Sequence, residues 1–166
     1  MAEFNLDKFR EQLKWGARQY LFYCKIDHSA VSMKNNIYLV RSTSLPNTEI
    51  EQIEVPWQGN QLKLASTETV PDFTVTFNTD EAARVRREFL DWQRSIHNIE
   101  SNVHGAPDDY MGTIELQLLG QTGGSIMTYT LHYAWPKTVG EVDLDYSSKD
   151  IAQFDVTLAY QYHTYE

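Results

Sequence analysis

Hydrophobic and polar residues alternate with a period of two over most of this chain, which is the pattern of half-buried β-strands. The alternating segments are residues 20–27, 36–44, 73–78, 113–119, 125–135 and 153–162. "QTGG" (residues 121–124) lies between two of them and is typical of a hairpin turn. "WPKTVGEV" (residues 135–142) predicts a break in the strands. The pattern predicts a mainly β, antiparallel sandwich or barrel of six to eight strands.

One segment has clear helical periodicity. Apolar residues at spacings of three and four predict a main helix over residues 79–97, flanking the sheet, with the buried stripe Ala82, Val85, Phe89, Trp92 and Ile96. Asn78 is the predicted N-cap, and Glu81 stands at the third helical position, as in a capping box.

A shorter helix is predicted within an N-terminal helical segment, residues 1–18. Asn5 is a suitable N-cap, Phe4 and Phe9 can form a hydrophobic staple, and the helix would run from Leu6 to about Trp15 before Gly16. Its narrow apolar face (Leu6, Phe9 and Leu13) is expected to pack on a neighbour, either its own domain or another subunit.

Residues 45–71, "LPNTEIEQIEVPWQGNQLKLASTETVP", interrupt the strand pattern. The segment contains three prolines and has weak periodicity, which predicts a long loop with short extended pieces. Long loops in compact domains usually carry function or bind partners.

Length and composition predict a single domain over residues 1–166. Its one cysteine, Cys24, lies in a predicted strand and is expected to be a buried, inert thiol. No apolar run approaches the roughly 20 residues that span a bilayer, and the N-terminus is charged, so we expect cytoplasmic folding and no membrane anchor.

The charge is unevenly distributed. Residues 1–99 contain 12 Lys and Arg against 13 Asp and Glu, whereas residues 100–166 contain only Lys137 and Lys149 against 10 acidic residues. The excess of acidic residues argues against tight binding of nucleic acid, because such binding needs clustered basic side chains. It suits either a surface past which DNA slides or simple solubility, and composition does not choose between them.

Glu141, Asp143 and Asp145 form a predicted acidic row on one face of an extended segment. Carboxylates two residues apart on a strand lie about 6.5–7 Å apart, a spacing found in inverting glycosidases. Those pairs usually face each other across a cleft, however, and the chain has no nucleophile elbow, phosphate-binding loop or dinucleotide motif. We therefore predict a solvated or interface face, with no catalytic residues and no cofactor.

His97 and His104 are the strongest candidates for metal ligands, with Asp108 and Asp109 nearby. The histidines are seven residues apart, whereas zinc ligands on one helix usually stand three or four apart, and no cysteine is close. The sequence predicts no metal site here, but a helix that ends in a loop.

Three segments carry a resemblance to a known family. They are Ser44–Glu81, which combines a Leu-Pro loop, an extended excursion and a strand, "FLDWQ" at Phe89–Gln93, and "WPKTVGEVDLDYSSKDIAQFDVTLAYQY" at Trp135–Tyr162. In their order and spacing the chain resembles the tail tube protein of contractile-tailed bacteriophages from about Leu21 to its end. The N-terminal helix and "HSAVSMKNN" (residues 28–36) depart from the family.

The resemblance implies hexameric rings that stack into a hollow tube, with strands of six subunits forming one barrel around the lumen. The implied partners are further copies of the chain, the tail sheath protein, the baseplate hub and the tail terminator. The tape-measure protein and DNA would pass through without specific binding. It also implies a place in the virion tail, assembled in the host cytoplasm. Contractile bacteriocins and type VI secretion systems use the same fold, and their tubes are the alternative identity.

Two surfaces are then candidates for contacts. The first lies in the long loop and is expected to join stacked rings, with Trp57 as an apolar anchor; its residues are Leu45, Pro46, Ile53, Val55 and Trp57. An ordinary lid over the core is the alternative. The second is the acidic row, as a lumen or interface face. A monomeric β-sandwich binding module and a hydrolase built on the acidic row remain as other function classes.

Overall fold

The structure of the chain is a computed structural model, which describes residues 6–14, 16–29, 31 and 37–166. The helices are α1 (Leu6–Leu13), α2 (Arg84–Ile96) and α3 (Pro107–Tyr110), with a 3₁₀ turn at Ile37–Leu39. The strands are β1 (Phe22–Asp27), β2 (Val40–Thr43), β3 (Glu49–Trp57), β4 (Asn60–Thr69), β5 (Phe73–Asn78), β6 (His97–Asn98), β7 (Val103–His104), β8 (Gly112–Leu119), β9 (Ser125–Val139), β10 (Gln153–Ala159) and β11 (Tyr162–Tyr165).

Seven strands form the main sheet in the order β1-β8-β9-β10-β5-β2, with β11 also paired to β9, and every pairing is antiparallel. The long strand β9 divides this sheet. Its residues up to Ala134 belong to a first half-sheet with β1, β8 and β11. From Trp135 onward it belongs to a second half-sheet with β10, β5 and β2. The predicted mainly β, antiparallel architecture is confirmed.

A single hydrophobic core joins both half-sheets and α2. Ile114 and Leu131 come from the first half-sheet, Val75 and Val156 from the second, and all four are fully buried. The predicted alternation is confirmed in β5 and β10, whose core residues are Phe73, Val75, Phe77, Phe154, Val156 and Leu158. Such strands bury every second side chain because successive side chains point to opposite faces.

A bulge at Tyr133 reverses the side-chain alternation of β9. Residues Gly112 to Ile114 of β8 lie opposite Leu131 to Ala134 of β9, and Tyr133 has a φ of +57°. The alternation predicted over residues 125–135 would place Tyr133 on the same face as Leu131, and this was wrong, because the extra residue shifts the phase by one. Ala134 and Pro136 are buried instead, and Tyr133 is 51% exposed. The predicted break after Trp135 was also wrong, since β9 continues to Val139.

Helix α2 closes the core, but it begins later than predicted. Asn78 is the last residue of β5 and pairs with Gln153, so it is not the N-cap. The Arg84 backbone N–H instead donates to Asp80 Oδ1 at 2.8 Å. The buried face of Val85, Phe89 and Trp92 is confirmed. Ala82 precedes the helix and is exposed, and Ile96 is only partly buried.

Helix α1 buries none of its side chains, and Leu6, Phe9 and Leu13 are all exposed. The predicted stop is confirmed, because Gly16 has a φ of +61° and its N–H donates to the Leu13 carbonyl at 2.8 Å. The predicted staple and cap at Phe4 and Asn5, and the predicted end at Trp15, lie outside the described residues.

Candidate assembly surfaces

Residues 49–69 form a long hairpin of β3 and β4, and among the described residues these two strands pair only with each other. The two-residue turn at Gln58 and Gly59 has φ values of +45° and +84°, and paired positive φ values are typical of the tight turns that suit hairpins. The prediction of a loop with only short extended pieces was wrong for this segment, since the strands are nine and ten residues long.

The hairpin is amphipathic, and the described part of the chain leaves its apolar face uncovered. The register places Ile53 opposite Leu64 and Val55 opposite Leu62. All the apolar side chains of this face are exposed, Trp57 by 66%; we call it the hairpin face, and it consists of Ile53, Val55, Trp57, Leu62 and Leu64. Contiguous apolar surface of this kind marks a contact site.

The opposite face of the hairpin is polar and internally paired. Lys63 Nζ lies 3.8 Å from Glu54 Oε1, and Gln52 Nε2 donates to the same carboxylate oxygen at 3.1 Å. Only one face therefore requires a partner. Of the predicted contact residues, Ile53, Val55 and Trp57 lie together on the hairpin face, whereas Leu45 and Pro46 lie before β3 in residues 44–48.

A groove of about 1030 Å³ opens between β1 and β2, the two ends of the main sheet. Its apolar lining includes Phe22, Val40, Leu45 and Leu118, and Tyr20 and Tyr38 line it as well. Cys24 also lines it, although burial raises the pKa of its thiol to about 12. Sequence reasoning missed this groove, because no local pattern shows that β1 and β2 line the same space.

The acidic residues Glu141, Asp143 and Asp145 do not lie on a strand. Residues 140–152 contain none, so the predicted extended face was wrong, although all three side chains are exposed. The Asp145 carboxylate accepts hydrogen bonds from the Ser147 N–H at 2.9 Å and the Ser147 hydroxyl at 2.8 Å, which lower its pKa. Solvated carboxylates like these suit a charged surface more than acid–base chemistry.

His97 and His104 face each other across the β6–β7 ribbon, with ring centroids 4.2 Å apart. Among the described residues, no group of three or more His, Cys, Asp or Glu side chains is arranged to hold a metal ion. In the same part of the chain, no helix has the length and apolar character needed to cross a membrane.

Comparison with known proteins shows to which family the chain belongs. The model of the phage tail tube protein family matches residues 10–166. The chain belongs to the phage tail tube protein family. The resemblance seen in the sequence is confirmed, and this tail tube protein is a structural subunit of the tube of a contractile tail.

The curated relatives of this tail tube protein agree. It is 31% identical over 150 residues to the tail tube protein gp19 of Enterobacteria phage T4, covering 88% of this chain and 90% of that protein. It is also 31% identical over 134 residues to the tail tube protein of Serratia phage KSP90, covering 80% of this chain and 76% of that protein.

Solved structures of contractile injection systems share the fold of this tail tube protein. A chain of the anti-feeding prophage baseplate matches with a TM-score of 0.71 at 17% identity, over 90% of this chain and 95% of that one. A chain of the extended PVC sheath–tube complex matches with a TM-score of 0.66 at 19% identity, over 94% and 96%. Hcp1 from Flavobacterium johnsoniae matches with a TM-score of 0.55 at 7% identity, over 88% and 94%.

Proposed function

We propose that this tail tube protein forms hexameric rings that stack into a hollow tube, through which DNA passes during ejection from a contractile tail. The observation that carries this proposal is the hairpin face, which is apolar and which the described residues of its own domain leave uncovered. Exposing such a face to water is unfavourable in free energy, and stacking against a second ring removes it from water.

The energetics favour stacking by many weak contacts rather than one strong one. Burying a large apolar side chain is worth about 1.5–3 kcal/mol relative to leaving it exposed. Each subunit contributes one hairpin face, so a ring presents several copies at once and the contacts reinforce one another. Leu45 and Pro46 lie at the start of the same excursion and are proposed to contribute to this surface.

Some of the proposed partners contact the tube from outside or at its ends, and others pass through it. Chains of similar fold occur in a baseplate, in a sheath–tube complex and in a sheath/tube terminator structure, which supports contacts with the baseplate hub, the sheath and the tail terminator. The tape-measure protein and DNA are proposed to pass through the lumen without specific binding, and the net charge of −9 suits a surface that repels phosphate.

Glu141, Asp143 and Asp145 are proposed to lie at the lumen or at an interface. This role needs no catalytic residue and no cofactor, and assembly is proposed to take place in the host cytoplasm.

The tube of a bacteriocin or secretion system is the second candidate, because solved structures of an extracellular contractile injection system and of a type six secretion system protein share the fold. The phage reading is preferred, since the relatives at 31% identity are phage tail tube proteins. Electron microscopy of native particles separates the two, because only a phage tail is joined to a head that contains DNA.

The assembly proposal is tested by negative-stain microscopy and light scattering of the purified protein across concentrations, with and without a baseplate or sheath extract. We expect rings or hollow tubes for the wild type. The triple variant Ile53→Ser, Val55→Ser, Trp57→Ser is expected to lose tubes while its thermal unfolding temperature stays close to that of the wild type, because these side chains are exposed in the subunit.

The opposite face of the same hairpin provides the matched control. The triple variant Gln52→Ser, Glu54→Ser, Lys63→Ser changes three exposed side chains of the same strands and is expected to form tubes like the wild type. A wild-type protein that stays monomeric even with the extracts would contradict the ring-and-tube proposal. Equal tube formation by both triple variants would contradict the role of the hairpin face.

A further inference from the structure

Helix α1 has an apolar face that the described part of the chain leaves in water. None of its side chains is buried, and three apolar ones are each more than half exposed. Their spacing of three and four residues places them on one side of the helix; we call this side the helix face, and it consists of Leu6, Phe9 and Leu13. A helix of eight residues is marginal in water on its own, so α1 gains most of its stability by packing on a partner.

The chain therefore has two uncovered apolar faces, and they lie at different places in the fold. Helix α1 precedes β1 of the first half-sheet, whereas the hairpin lies between β2 and β5 of the second half-sheet. A contact that joins the helix face of one subunit to the hairpin face of another is heterologous, and its repetition gives a stack of open length. Leu6 and Phe9 precede the segment that the family model matches, so the family pattern assigns no role to them.

The two faces have similar dimensions. From Leu6 to Leu13 the helix face is about 10 Å long, given a rise of about 1.5 Å per residue. From Ile53 to Trp57 the apolar part of β3 is about 13 Å long, given a rise of about 3.3 Å per residue. The apolar side chains of β4 widen this surface beside β3. One helix of the length of α1 therefore covers most of the hairpin face.

The two segments carry opposite charges. Residues 6–18 contain four Lys and Arg against two Asp and Glu, a net of +2, whereas residues 49–69 contain four Glu against Lys63, a net of −3. Two hairpins would repel each other, and so would two copies of the helical segment, so a helix paired with a hairpin is favoured. Charge complementarity of this kind selects the partner and its orientation more than it adds affinity.

Arg10 and two glutamates border the apolar faces. Arg10 follows Leu6 by four residues, which places it at the edge of the helix face. Side chains alternate along a strand, so Glu49 and Glu51 lie on the same side of β3 as Ile53. The side chains of Arg10, Glu49 and Glu51 are all exposed. An acidic end near the base of the hairpin thus continues into the apolar surface toward its tip.

We propose that α1 of one subunit packs on the hairpin face of a subunit in the adjacent ring, with Arg10 beside Glu49 and Glu51; this rests on the stacking through the hairpin face proposed above. The contact removes Trp57 and its apolar neighbours from water. It also supplies the partner that α1 lacks among the described residues of its own subunit. Each ring then presents hairpins on one side and helices on the other, and so stacks in one direction only.

Serine substitutions on the helix face test this contact in the full chain. The helix-face variant Leu6→Ser, Phe9→Ser, Leu13→Ser is expected to keep its fold and to form single rings, because these side chains are exposed in the subunit. The concentration at which its rings stack should rise roughly tenfold or more, since losing one large apolar side chain from an interface already costs about that factor. Light scattering and negative-stain microscopy across concentrations measure the change.

The polar side of α1 provides the matched control. The variant Lys8→Ser, Glu11→Ser, Gln12→Ser places the same number of serines in the same helix and should stack like the wild type. A loss of helix propensity alone would affect both variants to a similar extent.

A mixture of two defective rings gives a sharper test. The triple variant Ile53→Ser, Val55→Ser, Trp57→Ser keeps its helix face, and the helix-face variant keeps its hairpin face. Rings of the two variants, assembled separately and then combined, are expected to join in pairs and to stop there, because each pair has lost the contact surfaces on both of its outer sides. Microscopy counts single rings, pairs and longer stacks.

Charge reversal tests the same contact with both apolar faces intact. Arg10→Glu and Glu51→Arg each bring like charges together and should shorten the tubes, whereas the double variant should recover length. Effects that simply add in the double variant would show that these two residues do not meet.

The outcomes separate this contact from the proposed function. Tubes of wild-type length from the helix-face variant would overturn the role of α1 and leave stacking through the hairpin face to another receiving surface. Loss of single rings by that variant would overturn it too, because α1 would then act within a ring. If the wild type forms no rings even with a baseplate extract, the ring proposal fails and the helix contact fails with it.

Discussion

At the scale of single residues, Cys24 shows how burial sets reactivity. Its side chain belongs to β1, packs in the core and is only 1% exposed. Burial raises the pKa of its thiol from 9.0 to about 12. Since the thiolate is the nucleophile, the folded protein is expected to react with Ellman's reagent at pH 8 far more slowly than the urea-unfolded protein. Equal labelling rates in the two states would show that the thiol is accessible.

The same shift predicts how stability depends on pH. The thiol ionises near pH 9.0 in the unfolded chain but only near 12 in the folded one. Its contribution to the free energy of unfolding is therefore fully present below pH 9.0 and is lost as the pH rises toward 12. The difference in unfolding free energy between wild type and Cys24→Ala should shrink over that range. A constant difference would contradict the raised pKa.

Residue-level prediction from sequence succeeded where side chains follow a regular period. Phe73, Val75 and Phe77 alternate, and Val85 and Phe89 recur at helical spacing, so their burial could be inferred. Tyr133 could not be placed in this way. A bulge with a positive φ at a tyrosine has no local signature, because it is imposed by the pairing of β8 with β9.

At the scale of elements, the start of α2 depends on Asp80. Its Oδ1 accepts the Arg84 N–H at 2.8 Å, and its Oδ2 lies 3.4 Å from Arg84 Nε. Asp80 precedes the N-cap residue Ala83 but accepts one of the first-turn N–H groups, as a capping side chain does. Asp80→Ala is therefore expected to lower the free energy of unfolding by about 0.5–2 kcal/mol, the range found when such a hydrogen bond is removed. Asp80→Asn keeps an acceptor and should retain most of that stability. Urea denaturation of the two variants measures the difference, and equal losses would contradict a capping role.

Sequence predicted the existence of α2 but not its first residue. Asn78 and Glu81 match the spacing of a capping box, yet Asn78 is held in β5 by its pairing with Gln153 of β10. A tertiary contact thus overrides a local preference. The hairpin was missed for a related reason. Its apolar residues face no described part of their own domain, and Pro56 within β3 is typical of a loop or an edge strand.

At the scale of the whole molecule, residue patterns predicted an antiparallel β domain, and the family resemblance predicted a tube subunit. Neither could show the strand order, since β1 and β11 are far apart in sequence and become the two outer strands of one half-sheet only after folding. The same holds for the groove. Surfaces that depend on strand order follow from topology rather than from periodicity.

Head-to-tail stacking through the hairpin face makes a prediction about mixtures. A subunit with Ile53→Ser, Val55→Ser and Trp57→Ser keeps the surface that receives a neighbour's hairpin but has lost its own hairpin face. It should therefore join a growing wild-type tube and then block the next ring, because a heterologous contact needs both surfaces on every subunit. Microscopy of mixtures should show tubes of unchanged diameter whose mean length falls as the variant fraction rises. The polar-face variant Gln52→Ser, Glu54→Ser, Lys63→Ser, mixed in the same proportions, should leave the length unchanged. Tubes of wild-type length in both mixtures would mean that the hairpin faces do not connect the rings, and another surface would have to be sought.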